Sequence, residues 1–221
     1  MALINVDFHF HTCYSIDSQS AIESLPELIK KSGLDKVAIT DHNTISGALV
    51  ARQMLQEKII VGEEVKTTKG ELLVYYIEKL LPAGMTPEET IMLAREQGAV
   101  ISVPHPFDVR RGGWQLQDLI EIVPLIDAIE VFNSRTLQRK FNDRAKAFAE
   151  AYHLPGTSGS DGHTARELGR AYMTLPEFKD AEGLRAVLKY GTSTGSPSSI
   201  DVLFSSTFAR IIKRIKLGRS V

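Results

Sequence analysis

Cysteine is almost missing from this sequence. Cys13 stands alone among 221 residues, so no disulfide can close within the chain, and that usage fits a reducing compartment. Long apolar runs are missing too. Nothing approaches the roughly 18 consecutive apolar residues of a membrane helix, and the opening MALINVDFHFHT has no basic segment followed by an apolar stretch, so no signal peptide is expected. Nor is there an excess of one charge. Lys plus Arg is 26 against 27 for Asp plus Glu, a net charge of -1, which excludes a strongly basic surface that holds nucleic acid by charge alone. No internal repeat or low-complexity block is visible. These absences predict a soluble, cytoplasmic protein without membrane partners. With 43% apolar residues, a chain of this length can bury a core large enough to fold without staples, and one domain over residues 1–221 is expected.

Short apolar runs alternate with amphipathic stretches. Residues 3–8, 36–40 (KVAIT), 58–62 (KIIVG), 71–77 (ELLVYYI), 99–103 and 127–132 (DAIEVF) read as strands. Residues 20–32, stopped by Gly33, and residues 46–56, 136–152 and 180–190 read as helices. Another opens at Thr86-Pro87-Glu88-Glu89, where Pro87 suits the first helical position, Glu89 completes a capping box, and Gly98 ends the segment. This order argues an α/β fold with mainly parallel strands. Residues 191–199 (GTSTGSPSS) resemble a linker. Residues 200–217 read as a closing helix whose stripe of Phe204, Phe208, Ile211, Ile212 and Ile215 packs on the body, leaving Arg210, Lys213, Arg214, Lys216 and Arg219 to water.

Chemistry enters with the histidines. Of six, His9, His11, His42, His105 and His163 fall where a predicted strand ends or just beyond. His153, near a helix C-terminus, reads as a capping group. In parallel α/β folds the C-terminal ends of strands converge on the face that carries the site. Asp7, Asp17, Asp41, Glu64 and Asp161 accompany the five, and imidazole with carboxylate is the ligand set of zinc, manganese or iron. Each piece alone has an ordinary reading: a stacked His pair, a turn, a strand-end charge. Several strand ends presenting ligands together point to metal binding.

The motifs resemble those of the PHP (polymerase and histidinol phosphatase) domain family. They are DFHFHT with Asp17, ITDHN around His42, VGEEV with Glu64, Pro104-His105-Pro106, and GSDGH with Asp161 and His163, in order over about residues 5–175. The resemblance implies a distorted seven-stranded (β/α) barrel, TIM-like, with two to three divalent metal ions (zinc, manganese or iron) at its C-terminal mouth. It implies one metal on His9, His11, Glu64 and Asp161, a second bridged by Glu64 and held by His105, and a third on Asp17, His42 and His163. Asn133, with Glu130 nearby, stands where many relatives place a further ligand.

Such a cluster suits a metal-dependent phosphoric ester hydrolase. Arg135, Arg110 and Arg111 are candidate phosphate-binding residues, because guanidinium pairs with phosphate oxygens through two parallel hydrogen bonds. One of Arg110 and Arg111 reads as a surface charge. Trp114 beside them reads as a lid, a core residue or a substrate stack. The expected function is a phosphoesterase acting on a small phosphorylated substrate through a metal-activated water. The alternatives are a nuclease-like or nucleotide-directed phosphodiesterase, against which the charge balance counts, and a non-catalytic metal-binding domain.

Overall fold

A computed structural model of the protein describes residues 2–199 and Lys213. Among these residues nine strands form one sheet: β1 (Leu3–Phe10), β2 (Lys36–Ile39), β3 (Ile59–Lys66), β4 (Glu71–Tyr75), β5 (Val100–Val103), β6 (Ala128–Asn133), β7 (Gly156–Gly159), β8 (Ala171–Pro176) and β9 (Thr192–Gly195). Six helices accompany them: α1 (Leu25–Ser32), α2 (Ser46–Leu55), α3 (Pro87–Glu96), α4 (Leu116–Ile122), α5 (Arg139–Ala151) and α6 (Ala181–Val187). The strand order is β7-β6-β5-β4-β3-β2-β1-β8-β9. Neighbours within β1–β3 and within β5–β7 are parallel. β4 runs against both β3 and β5, and β8, itself paired antiparallel with β9 across the intervening α6, joins β1 antiparallel.

The sheet curls until its seventh strand meets its first. The Asp161 N–H donates to His9 O at 2.6 Å, the His11 N–H donates to Gly162 O at 2.9 Å, and Phe10 bridges Gly162 in parallel. The ring therefore has the seven strands expected of the barrel. The count reaches nine because β8 and β9 continue from the N-terminal half of β1, where Leu3–Val6 pair with β8. Asp7 ties the seam: its carboxylate accepts the N–H groups of His9, Ser160 and Gly169 at 3.2, 2.9 and 3.1 Å. Gly159 allows the close approach, since a Cβ there would overlap the His9 backbone and Cβ.

Two apolar layers result. Ile4, Val6 and Phe8, with Ala38, Ile60, Leu73, Tyr75, Val100 and Ala128, fill the inside of the ring, closed below by Leu184 and Leu188. The alternate residues, such as Val37, Ile39, Val61, Val74 and Ile101, face outward against the helices. Strict alternation along β1 would turn His9 and His11 outward with Asp7. Between Asp7 and Phe10 the register against β2 slips by one residue, and beyond the slip Phe10 joins the outer layer. A bulge of this kind re-aims side chains, and here it turns both histidines inward. A second slip lies between Glu130 and Phe132 on β6.

Helix ends follow local rules. Thr86 and Glu89 form the capping box, with Thr86 Oγ1 accepting the Glu89 N–H at 3.2 Å and Glu89 Oε2 accepting the Thr86 N–H at 2.9 Å. Gly33, with φ 70°, stops α1. The helix expected from residue 136 starts at Arg139. Asn133 Oδ1 takes the Arg135 N–H at 2.9 Å, and its carbonyl takes the Thr136 N–H at 3.3 Å, holding residues 133–136 in a turn instead. Residues 191–199 are no linker, because β9 pairs with β8 within them. The helix expected over 200–217 lies outside the described residues, apart from Lys213, whose backbone is helical. Among the described residues no helix is long and apolar enough to cross a membrane.

Gly159→Ala tests the closure. Forcing a Cβ into the β1–β7 contact is expected to cost about 1–3 kcal/mol and to lower Tm by roughly 2–12 °C. A melting curve matching the wild type would show that the seam has slack.

Candidate metal centre

The interior of the ring changes character along its axis. Apolar side chains occupy the lower part. At the mouth, the inward positions of the same strands carry His9, Glu64, Glu71 and Glu130, all but Glu71 fully buried. The parallel strands deliver their last residues here. β4 runs the other way, so its first residue, Glu71, reaches the mouth on the face of Leu73 and Tyr75.

His9, His11, Glu64 and Asp161 converge. His9 Nε2 and His11 Nε2 are 3.1 Å apart, each lies 3.3 Å from Glu64 Oε2, and Asp161 Oδ1 is 3.6 and 3.3 Å from them. Nitrogen and oxygen donors placed about 2.1 Å from a tetrahedral metal stand roughly 3.4 Å apart, so the spacing suits one cation. Asp161 Oδ1 is buried and accepts no hydrogen bond among the described residues, as a ligand oxygen would. Glu64 Oε1 turns to a second group, 3.1 Å from His105 Nε2, and Glu71 Oε2 lies 3.8 Å from the same nitrogen. A third group forms on the other side. Asp17 Oδ1 is 3.4 Å from His163 Nε2, Asp17 Oδ2 is 3.6 Å from His42 Nε2, and the His11 ring stacks on His42 at 4.5 Å. Donor atoms of His9, His11 and Asp161, of His9, Glu64 and His105, of His11, His42 and His163, and of His42, Glu64 and Glu71 each lie close enough to hold a metal ion.

Neighbouring groups aim two of these rings. His9 Nδ1 is 3.1 Å from Glu130 Oε1, which leaves Nε2 for the centre. His163 Nδ1 donates to the Asp161 carbonyl at 2.8 Å; a carbonyl only accepts, so Nε2 keeps its lone pair. Glu130 and Asn133 stand one step behind the cluster. Glu130 Oε2 accepts the His105 N–H at 2.8 Å and the Asn133 amide at 2.9 Å, and the same Asn133 amide also reaches Asp161 Oδ2 at 2.9 Å. This is the orienting arrangement found behind metal-ligating histidines. His105 and Asp161 have positive φ, 28° and 52°, a strained conformation for residues with side chains.

The electrostatics are those of a buried cluster of mutually paired carboxylates and imidazoles. Burial pulls the His9 imidazole down, yet Asp161, Glu64 and Glu130 together raise it well above its ordinary value. Burial likewise opposes the charge on His11, but the adjacent carboxylates of Asp161 and Glu64 push it up to about 9. Burial raises the Glu64 and Asp17 carboxyls, and the surrounding imidazoles outweigh it, so both sit well below the carboxylate range. Asp161 behaves the same way with Arg111 as its strongest partner. Burial holds His163 neutral, down to about 3. Burial and the Glu64 charge raise Glu71.

The two arginines of the Arg110-Arg111 pair part company. Arg111 turns into the mouth and bonds Asp161 Oδ2, whereas Arg110 lies outside, held by Asp108 Oδ2 at 3.1 Å. Arg135 is buried, its Nε 3.6 Å from Glu167 Oε1, and its charge is felt by His163. Trp114 is a packed residue whose Nε1 donates to Glu71 O at 3.3 Å above Gly70. Sequence reasoning missed two members of the site. Glu71 is one, although a charge opening the apolar run ELLVYY was a signal. Glu167 is the other; it accepts the His163 and Thr164 N–H groups at 3.0 Å each.

Comparison with known proteins agrees with this architecture. Residues 7–154 match the model of the PHP domain, and residues 139–193 match a PHP-associated model. Two uncharacterized proteins of Methanocaldococcus jannaschii are similar in sequence. One is 34% identical over 146 residues, 59% of this chain and 82% of that protein; the other is 32% identical over 179 residues, 79% and 72%. A solved two-domain protein from Bacteroides vulgatus, described as containing a predicted PHP-like metal-dependent phosphoesterase, superposes with a TM-score of 0.73 at 15% identity, over 94% of this chain and 70% of its own.

Because His9 and His11 are both raised, they hold protons at neutral pH that a cation must displace. Zinc binding at pH 7 is expected to release roughly one to two protons and to strengthen with rising pH at least until His11 loses its proton near 9. Calorimetric titration in buffers of different ionisation enthalpy measures this. Binding without proton release would mean that His9 and His11 stay outside the coordination.

Proposed function

The chain belongs to the PHP domain family, and from that membership we propose that it is a metal-dependent phosphoesterase that hydrolyses a small phosphate ester. The observation that carries the reading is the set of four buried donors from His9, His11, Glu64 and Asp161, in which each imidazole nitrogen lies 3.1 to 3.6 Å from the other three donors at the mouth of the barrel. These four would hold one divalent cation, zinc, manganese or iron. Glu64 with His105 and Glu71 would hold a second, and Asp17, His42 and His163 a third. When bound, adjacent divalent cations lower the pKa of a water molecule and stabilise the attacking and leaving oxygens of a displacement at phosphorus.

The chain's own residues do the rest. Glu64 spans two groups of imidazoles and fixes their separation. Glu130 and Asn133 keep His9, His105 and Asp161 pointed inward. Arg111, on the loop after His105, presents its guanidinium at the mouth, and Arg135 places a second positive charge beside His163. Together they oppose the roughly two negative charges of a phosphate monoester. Water oxygen bonds to phosphorus as the ester P–O bond breaks, and the alcohol departs with a proton. A nucleotide-directed or nuclease-like activity is the second reading. The net charge of -1 offers no general attraction to a polyanion.

The test is a hydrolysis screen of the purified full chain over phosphate monoesters and diesters, with metals analysed on the same sample. Release of phosphate from monoesters is expected. Hydrolysis of diesters or single-stranded DNA alone would overturn the monoester reading in favour of the second.

Two sets of variants test the roles. Glu64→Gln is expected to abolish turnover while far-ultraviolet circular dichroism stays near wild type, since one neutral amide cannot replace a carboxylate that serves two groups. Near-normal turnover at saturating metal would remove Glu64 from the centre. Arg135→Ala and Arg111→Ala are each expected to lower turnover about 10- to 1000-fold, the loss of about 1.4–4 kcal/mol of charge-assisted contact. Arg110→Ala should stay close to wild type. Arg135→Lys should recover only part, lacking the planar fork. Normal kinetics in Arg135→Ala would reduce that residue to a partner of Glu167.

A further inference from the structure

Between β1 and α1, residues 11–21 form a loop that carries Asp17, and the loop is wired to three imidazole-bearing residues of the centre. Ser15 Oγ donates to Asp17 Oδ1 and accepts the His42 N–H, both at 3.2 Å. Ser18 Oγ reaches the carbonyls of His11 and His163 at 2.8 and 3.0 Å, and the Gln19 N–H donates to His163 O at 3.0 Å. The turn that presents Asp17 is thereby the turn that frames His11, His42 and His163.

Three carbonyl oxygens of that turn, those of Cys13, Ser15 and Ser18, point to one place. Like ends of dipoles that face each other repel unless a positive group stands between them. Lys213 Nζ stands there, donating at 2.7, 2.5 and 2.8 Å. An ammonium has three donors and no acceptor, and all three are used. Among the described residues no other donor reaches Cys13 O or Ser18 O. The partners lie 195 to 200 positions apart in the chain, so this contact ties Lys213 to the loop beside the centre across most of the sequence. As sequence, Lys213 is one of five basic residues assigned to water. Its place shows a different use.

We propose that Lys213 is a positioning residue for the metal centre: by gathering the carbonyls of Cys13, Ser15 and Ser18 it fixes the turn that offers Asp17 to His42 and His163. It touches no donor atom of the centre and acts through the loop. The inference rests on the reading that Asp17, His42 and His163 hold a cation.

The experiment compares the full-length wild type, Lys213→Met, Lys213→Arg and Asp17→Asn by two measurements. The first is amide hydrogen exchange of residues 13–20 in metal-free protein. The second is a titration with manganese and with zinc that resolves each bound equivalent. In Lys213→Met, exchange of residues 13–20 is expected to rise about tenfold or more while the barrel strands stay protected. One equivalent of metal should bind about 10- to 100-fold more weakly, the usual effect of losing a group that supports a ligand. Lys213→Arg keeps the charge but spreads it over a plane that cannot meet three converging carbonyls, and should fall between; if Lys213→Met folds poorly, it carries the same comparison. Asp17→Asn should lose the equivalent without loosening the loop. Unchanged exchange in both Lys213 variants overturns the proposal, and so does raised exchange with every metal affinity intact. Full metal binding by Asp17→Asn overturns the reading of Asp17 as a ligand, and does so whatever the Lys213 variants show.

Discussion

Glu64 has no contact with solvent, yet its two oxygens lie 3.0 to 3.3 Å from nitrogens of four histidines. A carboxylate taken out of water costs several kcal/mol unless partners are already in place. The partners come from distant parts of the chain: His9 and His11 from β1, His42 from the turn after β2, and His105 from the turn after β5. Two rings of the mouth are aimed by further groups, Glu130 for His9 and the Asp161 carbonyl for His163. The donors at the mouth are thus positioned by the fold and its own hydrogen bonds, as a preorganised site requires.

That organisation rests on irregularities of the sheet. One extra residue between Asp7 and Phe10 changes which side chains of β1 look inward. Without it, the apolar stripe Ile4, Val6 and Phe8 would continue into the mouth and the two imidazoles would face the helices. The reversed β4 supplies Glu71 from its beginning, not its end. The strained backbone at His105 and Asp161 puts each side chain where an ordinary strand end would not.

Much of this was legible in the residues. His9-x-His11, Asp41-His42, Glu64, Pro104-His105-Pro106 and Asp161-x-His163 name the participants without any coordinates, because imidazole and carboxylate at strand ends have a small range of uses. Alternation alone could not say which face a bulged strand shows. A parallel reading of the strands left Glu71 at the wrong end of the barrel. β9, with the sequence TSTG and all four residues exposed, has no buried face and hence no periodic signal. Arg110 and Arg111 are equivalent as sequence; the αL turn at Gly112 and the grip of Asp108 send one outward and one inward.

The hairpin of β3 and β4 has a consequence for the order in which the molecule assembles. Its strands are joined by residues 67–70, closed by the Thr67 N–H to Gly70 O bond at 2.8 Å, so it forms at the small entropic cost of a local loop. The seam between β1 and β7 joins residues about 150 positions apart, as the 151-residue separation of Ser160 and His9 shows, and the cost of closing a loop grows with its length. Local pairings form quickly and distant ones slowly. Glu64 and Glu71 therefore meet early in the life of the chain, while Asp161 reaches His9 and His11 only when the ring shuts. A nascent or truncated chain holds half a binding site, and the complete one is a certificate that both ends of the barrel have arrived.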